Sequence, residues 1–336
     1  MPTSLAEAKL NAQDDVDVVV IDEFRKSSDI LDRMQFDNVV SPTGGDTLTY
    51  GYRRLITQRD AAFRAINSEY TPNEVQTQRY TVDLAPLGGS FRVDRVVARI
   101  GPAASGAVTL NIQQLIKASR AKFADAVING DTATDANGFN GLSKILTGSS
   151  TEYLPLSNGV ATGYVDWTTI TDKASALAAQ KHIDNWLAAM DERPDVIYGN
   201  QKTLNLFKVI AQWTDQIDKS TDAFGRPVTA YNGIPLTDLG SKAGSSADVI
   251  GLVTRDPDAG GAGGNITGLG DLYAVRYGLD GFHGASVGGG SPLLQTWLPE
   301  FTSAGAVKTG EVELGPVAPV LKATKAAAVF RNIKSA

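Results

Sequence analysis

The chain contains no cysteine. A disulfide framework, a thiolate nucleophile and a cysteine-bearing zinc site are therefore excluded, and folding does not depend on a redox compartment. Histidine is almost as scarce, with only His182 and His283. Two isolated histidines do not make a metal site. No stretch approaches the ~20 apolar residues that a membrane-spanning helix needs. The start of the chain, Met1-Pro-Thr-Ser-Leu-Ala-Glu-Ala-Lys-Leu10, lacks the basic and apolar regions of a secretory signal, so we expect residence in a cytoplasm. A basic excess is missing too. With 31 Lys and Arg against 37 Asp and Glu, the formal net charge is −6, which argues against a dedicated nucleic-acid binder. An acidic container that holds nucleic acid without gripping it stays compatible with that balance.

What is present is an ordinary globular composition, 42% hydrophobic and 20% charged, over 336 residues, enough for two modest domains with cores. Its most informative stretch runs from Asp46 to Gly101. That stretch carries Arg53, Arg54, Arg59, Arg64, Arg79, Arg92, Arg95 and Arg99 and no lysine. Apolar and polar residues alternate in Tyr80-Thr-Val-Asp-Leu-Ala-Pro-Leu87 and Phe91-Arg-Val-Asp-Arg-Val-Val97, which predicts strands. A lone two-stranded hairpin is marginal in water, so this segment needs a surface to lie on. Another subunit would supply one.

Residues 2–38 read as an acidic arm, with Val18-Val-Val-Ile21 among aspartates and Phe24, Ile30, Leu31, Met34 and Phe36 as apolar anchors. Both a buried first element and a swapped arm fit. Ser41-Pro-Thr-Gly-Gly-Asp46 and Leu87-Gly-Gly89 predict turns. The clearest helix spans about 111–128, with Ile112, Leu115, Ile116, Ser119, Phe123 and Val127 on one stripe, an Asn111/Gln114 capping box and a stop at Asn129-Gly130. A second helix is expected over 170–190. A strand, Val196-Ile-Tyr198, leads to a third helix capped by Asn200, with Leu206, Val209, Ile210, Trp213 and Ile217 as its buried stripe. Further strands are expected at 234–236, 249–253 and 272–277, and residues 311–330 read as a final edge strand. The class is α+β.

Several motifs imitate chemistry. Gly284-Ala-Ser-Val-Gly288 matches a nucleophile elbow, but both histidines precede Ser286 and a glycine run follows in place of a helix. Asp135-Ala-Asn-Gly138 resembles part of a calcium loop, but Ala133 and Lys144 occupy ligand positions, so an Asx/Gly turn is the better reading. The glycine loop over 256–264 lacks a Walker lysine and dinucleotide spacing. No catalytic, cofactor-binding or metal residues emerge, and no cofactor is expected.

The order of pieces resembles the major capsid protein family of tailed bacteriophages, the Hong Kong 97-type fold shared with encapsulins. The resemblance rests on Gly89-Ser-Phe-Arg-Val-Asp-Arg95, Ala124-Asp-Ala-Val-Ile-Asn-Gly-Asp131, Asn137-Gly-Phe-Asn-Gly-Leu142, Pro194 to Thr203 and Gly270-Asp-Leu-Tyr-Ala-Val275. Its most specific part is Phe224-Gly-Arg-Pro227 followed by Tyr231-Asn-Gly-Ile-Pro-Leu236. It implies an N-terminal arm over 1–45, an extended β-hairpin loop over 46–87 and a peripheral domain over 88–164 with the long spine helix. A mixed α/β axial domain over 165–300 and a C-terminal strand over 301–336, returning to the peripheral domain, complete the division.

The function implied is structural and non-enzymatic: self-assembly, through hexamers and pentamers, into the icosahedral head enclosing double-stranded DNA. Localisation would be the virion capsid, assembled in the bacterial host cytoplasm, with no membrane. The resemblance further implies scaffolding, portal and possible decoration proteins as partners, and a separate scaffold because the sequence lacks the long helical leader of some members. Some members cross-link a loop lysine to a neighbour's asparagine; here no lysine lies between Lys26 and Lys117, so a shell without isopeptide bonds is expected. Arg53, Arg54, Arg59 and Arg64 are the expected subunit-interface residues. An encapsulin-type compartment is one alternative, and a monomeric α/β enzyme or ligand-binding protein is a second.

Overall fold

The computed structural model describes residues 29–39, 48–57, 59–70, 74–96, 102–155, 163–221, 227–257, 264–287, 294–302 and 304–336. Helix α1 (Asp29–Arg33) buries Ile30 and leads to strand β1 (Phe36–Asn38). Of the expected arm anchors, Ile30 and Met34 are buried, while Phe24 and Val18-Val-Val-Ile21 lie outside the described residues. Next come β2 (Thr49–Thr57), β3 (Gln76–Asp83) and β4 (Ala85–Asp94). The glycines at 88 and 89 therefore sit inside a strand rather than at a turn. The reason is close approach: a Cβ on Gly89 would lie 2.8 Å from Leu115 of the helix crossing above it.

That helix, α2 (Pro102–Asn129), is 28 residues long and starts nine residues before the expected cap. Pro102 at its first position accounts for this, because proline's fixed φ suits a helix start and its missing N–H has no partner to lose there. Asn111 and Gln114 are interior, not a capping box. The predicted stripe does hold, since Ser119, Phe123 and Val127 are buried. At its end, the Gly141 amide donates to the Gly130 carbonyl at 2.8 Å, folding the turn back onto the helix. Helix α3 (Leu142–Leu146) follows, then β5 (Glu152–Tyr153) and β6 (Val165–Asp166).

Helix α4 (Lys173–Leu187) opens on an Asp172/Ser175 capping box. Strand β7 (Val196–Gly199) runs into α5 (Gln201–Trp213), whose Asn200 cap accepts from the Lys202 amide at 3.0 Å. The buried face of α5 is Thr203, Leu204, Phe207, Ile210 and Ala211. Val209 and Trp213 are exposed and Ile217 starts β8 (Ile217–Thr221), so the predicted stripe was rotated. Strands β9 (Pro227–Tyr231), β10 (Ile234–Thr237), β11 (Val253–Arg255), β12 (Ile266–Val275), β13 (Phe282–Ser286) and β14 (Leu294–Trp297) follow. Of the motif at 224–236, residues 224–226 lie outside the described residues. The tail makes two strands, β15 (Val307–Leu321) and β16 (Ala327–Lys334), and neither is an edge.

Two sheets carry the architecture. In the first, β15 pairs with β4 along one side and with β13 and β14 along the other, and β1 adds to β13. The register on β4 shifts between Leu314 and Val317, where Pro316 and Pro86 face each other's strand without a donor to offer. The second sheet is nine-stranded, in the order β5-β16-β12-β7-β10-β9-β8, with β6 on β16 and β11 on β12. Alternate residues on its central strands feed different cores. Ile197, Leu272, Ala274 and Phe330 pack under α4 and α5 with Trp167 and Trp186. Val196, Tyr198, Tyr273 and Val329 join Phe123, Val127 and the first sheet. Burial on both faces is why these strands read as continuous apolar runs.

Candidate functional site

The arginine-rich segment carries the β-hairpin that the resemblance implies: β2 and β3 form a separate two-stranded ribbon, paired antiparallel from Thr49↔Asp83 to Thr57↔Gln76. Its first half follows a period of two. Tyr50, Tyr52 and Arg54 turn toward the body, while Gly51, Arg53 and Leu55 face solvent.

The inward residues fasten the root. The Tyr50 hydroxyl donates to Asp37 Oδ2 at 2.6 Å, and burial together with that carboxylate pushes its pKa up. Tyr52 stacks on Tyr80 at 5.7 Å and donates to the Leu321 carbonyl at 3.1 Å. Arg54 donates to the Lys322 carbonyl at 2.7 Å, to Thr324 Oγ1 at 3.1 Å and to the Leu321 carbonyl, with its guanidinium 4.7 Å from the Tyr80 ring centre. Of the four expected interface arginines, Arg54 is thus committed to its own chain. Arg53 and Arg59 are exposed, and Arg53 stands directly across from exposed Arg79. Arg64 is exposed but curls onto the Ser68 carbonyl at 3.1 Å and the Tyr70 ring at 5.4 Å.

Beyond the root the hairpin leaves the body. Leu55, Ile56, Phe63, Ile66, Tyr70 and Val75 are exposed large hydrophobics, with Ile66 at 91%. A second group, Trp297, Leu298 and Phe301, is exposed on the connection from β14 to β15, and sequence reasoning missed it. The signal was available as apolar residues inside the run Thr296-Trp-Leu-Pro-Glu-Phe301, which has no strand alternation to bury them. The two groups lie at different points along β15. The hairpin root sits on Leu321 to Thr324, whereas Trp297 of the second group pairs with Glu311, ~33 Å away along β15 at 3.3 Å per residue. Both groups stay exposed on the single chain.

The motifs that imitate chemistry behave as structure. Asp131 and Asp135 accept the Ala133 and Asn137 amides, and Lys144 lies 3.1 Å from Asp131, as in an Asx turn. Ser286 is a rung of β13, paired with Asn38 and Val317; Gly288 lies outside the described residues. His182 Nδ1 is 2.8 Å from the Tyr153 hydroxyl. Among the described residues no three metal-capable side chains converge, and no helix is long and apolar enough to cross a membrane. One charge cluster is internal: Arg331, Glu152 and Asp271 are nearly buried, Arg331 bridges both acids, and Arg255 also pairs with Asp271.

Neither a protein-family model nor a curated protein sequence matches the chain. Solved structures do. The holo SrpI encapsulin complex of Synechococcus elongatus PCC 7942 superimposes with a TM-score of 0.58 at 13% identity, covering 100% of this chain and 97% of that one. A structure of Mycobacterium phage Bobi gives 0.56 at 13% identity, covering 99% of each chain. A capsid of a native GTA particle with C5 symmetry gives 0.54 at 13% identity, covering 96% and 95%. Its structural neighbours are phage major capsid proteins and an encapsulin, and the chain has the Hong Kong 97-type capsid fold.

Proposed function

We propose that this chain is the subunit of a closed protein shell, specifically the major capsid protein that self-assembles into the icosahedral head enclosing the double-stranded DNA of a tailed bacteriophage. The observation that carries this reading is the hairpin: a ribbon anchored at its root that holds Phe63 and Ile66 in solvent on a lone chain. Exposed apolar groups of this kind mark interaction surfaces. Each such side chain contributes about 1.5–3 kcal/mol when fully buried against a partner. Two different exposed apolar groups on one chain support heterologous contacts, which close into rings of identical copies. Arg53 across from Arg79 adds a like-charge pair that is unfavourable alone and favourable against an acidic neighbour.

In this reading the chain is not an enzyme. Hexamers and pentamers build the shell, and the virion capsid is its location after assembly in the host cytoplasm. Scaffolding and portal proteins, and possible decoration proteins, are its partners. The proposed division is arm 1–45, extended loop 46–87, peripheral domain 88–164, axial domain 165–300 and returning tail 301–336. DNA would be enclosed rather than read, in keeping with the net charge of −6.

A second reading, an encapsulin-type compartment, is favoured by the full-length match to the SrpI complex. Purified particles discriminate the two. Mature heads would contain double-stranded DNA, whereas an encapsulin would retain a protein cargo. A chain that sediments as a monomer with no particles would overturn both.

A further inference from the structure

Beneath the hairpin root lies a group that the assembly reading does not use. His283, in the middle of the first sheet, is fully buried, and among the described residues neither ring nitrogen has a hydrogen-bond partner. An imidazole so placed is held chiefly by packing, and its neutral form suits that environment. Its ring meets Tyr50 edge-on, with centroids 5.7 Å apart at 73°. Tyr50 is the most deeply seated residue of β2, and its ring also lies 5.3 Å from the Lys322 ammonium.

Three charged groups face this spot from the surrounding elements. Asp37 comes from β1, Lys322 from the end of β15, and Asp280 from the turn before β13. Lys322 is 3.6 Å from Asp37, so the one carboxylate that also holds Tyr50 is already shared with a cation. A proton on His283 would place a second cation against Tyr50, while Asp37 and Asp280 are already paired with Lys322 and Arg276.

We propose that His283 is an acid-sensitive latch for the extended hairpin: a neutral imidazole keeps Tyr50 and the root strand seated, and a protonated one unseats them. The inference does not depend on what the hairpin docks onto. Burial, reinforced by Lys322, lowers the His283 pKa to about 4, against the partial pull of Asp37, the Gly281 carbonyl and Asp280. The sign follows. A released, hydrated imidazole titrates near its ordinary 6.5. The seated state therefore keeps its full advantage above that pH and loses it as pH falls toward 4. The loss is up to tenfold per unit, roughly a hundredfold in all.

Hydrogen–deuterium exchange of the full chain from pH 7 to pH 4 tests this, comparing wild type with His283→Gln at each pH so that intrinsic exchange cancels. The expected result is that residues 49–54 of the wild type lose protection progressively, by tenfold or more at pH 4.5, while the variant stays protected. Identical profiles would overturn the latch. So would acid release abolished by Asp37→Asn but retained in His283→Gln, which would assign the effect to Asp37. Should His283→Gln fail to fold, the ring of His283 is followed directly by NMR, with only His182 to distinguish. A ring that titrates near 6.5 while the hairpin stays protected also refutes the proposal.

Discussion

Tyr198 reaches across from the nine-stranded sheet to hold the arm: its hydroxyl donates to Asp29 Oδ2 at 2.8 Å and lies 2.9 Å from that of Tyr277. Arg33 closes the group, with its Nε 2.8 Å from the same Asp29 oxygen. Tyr198 is fully buried, and burial, the neighbouring tyrosine and Asp29 all push its pKa far upward. Tyr198→Phe removes one donor and leaves the Asp29 carboxylate half-served. We expect a loss of about 1–2 kcal/mol of stability, read by thermal or denaturant unfolding, with the loss confined to packing of α1.

Gly141→Ala should be damaging, because Gly141 is buried against the end of α2. A Cβ there would lie 2.7 Å from the Gly130 nitrogen and 2.8 Å from the Ile128 carbonyl carbon, against backbone that cannot move aside. Overpacking of this kind costs about 1–3 kcal/mol. Denaturant unfolding of Gly141→Ala beside Asn140→Ala checks it; equal midpoints would refute the steric argument.

Arg331→Ala leaves Glu152 and Asp271 buried without their shared cation. Breaking a buried pair costs about 3–5 kcal/mol, much of it the desolvated charge left behind. Arg331→Met with Glu152→Gln should recover part of that loss, because it removes charge from both sides.

The hairpin predictions separate folding from assembly. Phe63→Asp, Ile66→Asp, Arg53→Glu and Arg59→Glu change exposed residues, so the subunit should unfold as wild type does while particle yield collapses. Arg54→Glu should differ. It breaks the clamp on Leu321, Lys322 and Thr324, and both stability and assembly should fall. Unfolding curves beside sedimentation profiles distinguish the two classes.

No lysine lies between Lys26 and Lys117, so the hairpin has no amine to cross-link. Purified particles boiled in detergent should run as a single monomer band. A ladder of covalent multimers would contradict this.

Local pattern carried much of the fold. The stripe of α2, the cap at Asn200 and the alternation over 80–87 and from Phe91, which falls in β3 and β4, were legible. Errors arose where two physical signals coincide. Helix α5 has apolar residues on two faces, and periodicity alone cannot tell which one the sheet covers; Leu204 and Phe207 went inward while Val209 and Trp213 did not. The tail read as one edge strand because its prolines suggested an edge, whereas β15 accommodates them at a register shift and β16 lies in the interior of the other sheet.

At the hairpin, the sequence marked the arginines as a group, and the structure leaves Arg53 and Arg59 exposed. The fate of Arg54 was not legible there, because its partner Leu321 lies 267 residues away. The buried state of His283 was hidden for the same reason: the strands that cover it arrive from distant parts of the chain.

The central claim is that this chain completes its structure only against copies of itself. Analytical ultracentrifugation of the purified protein, with negative-stain imaging of the same fractions, tests it most directly. The account predicts closed megadalton shells from wild-type chain, with scaffold supplied if needed, and none from Phe63→Asp. A wild-type chain that stays monomeric under both conditions, with Phe63 and Ile66 exposed and the fold intact, would contradict it.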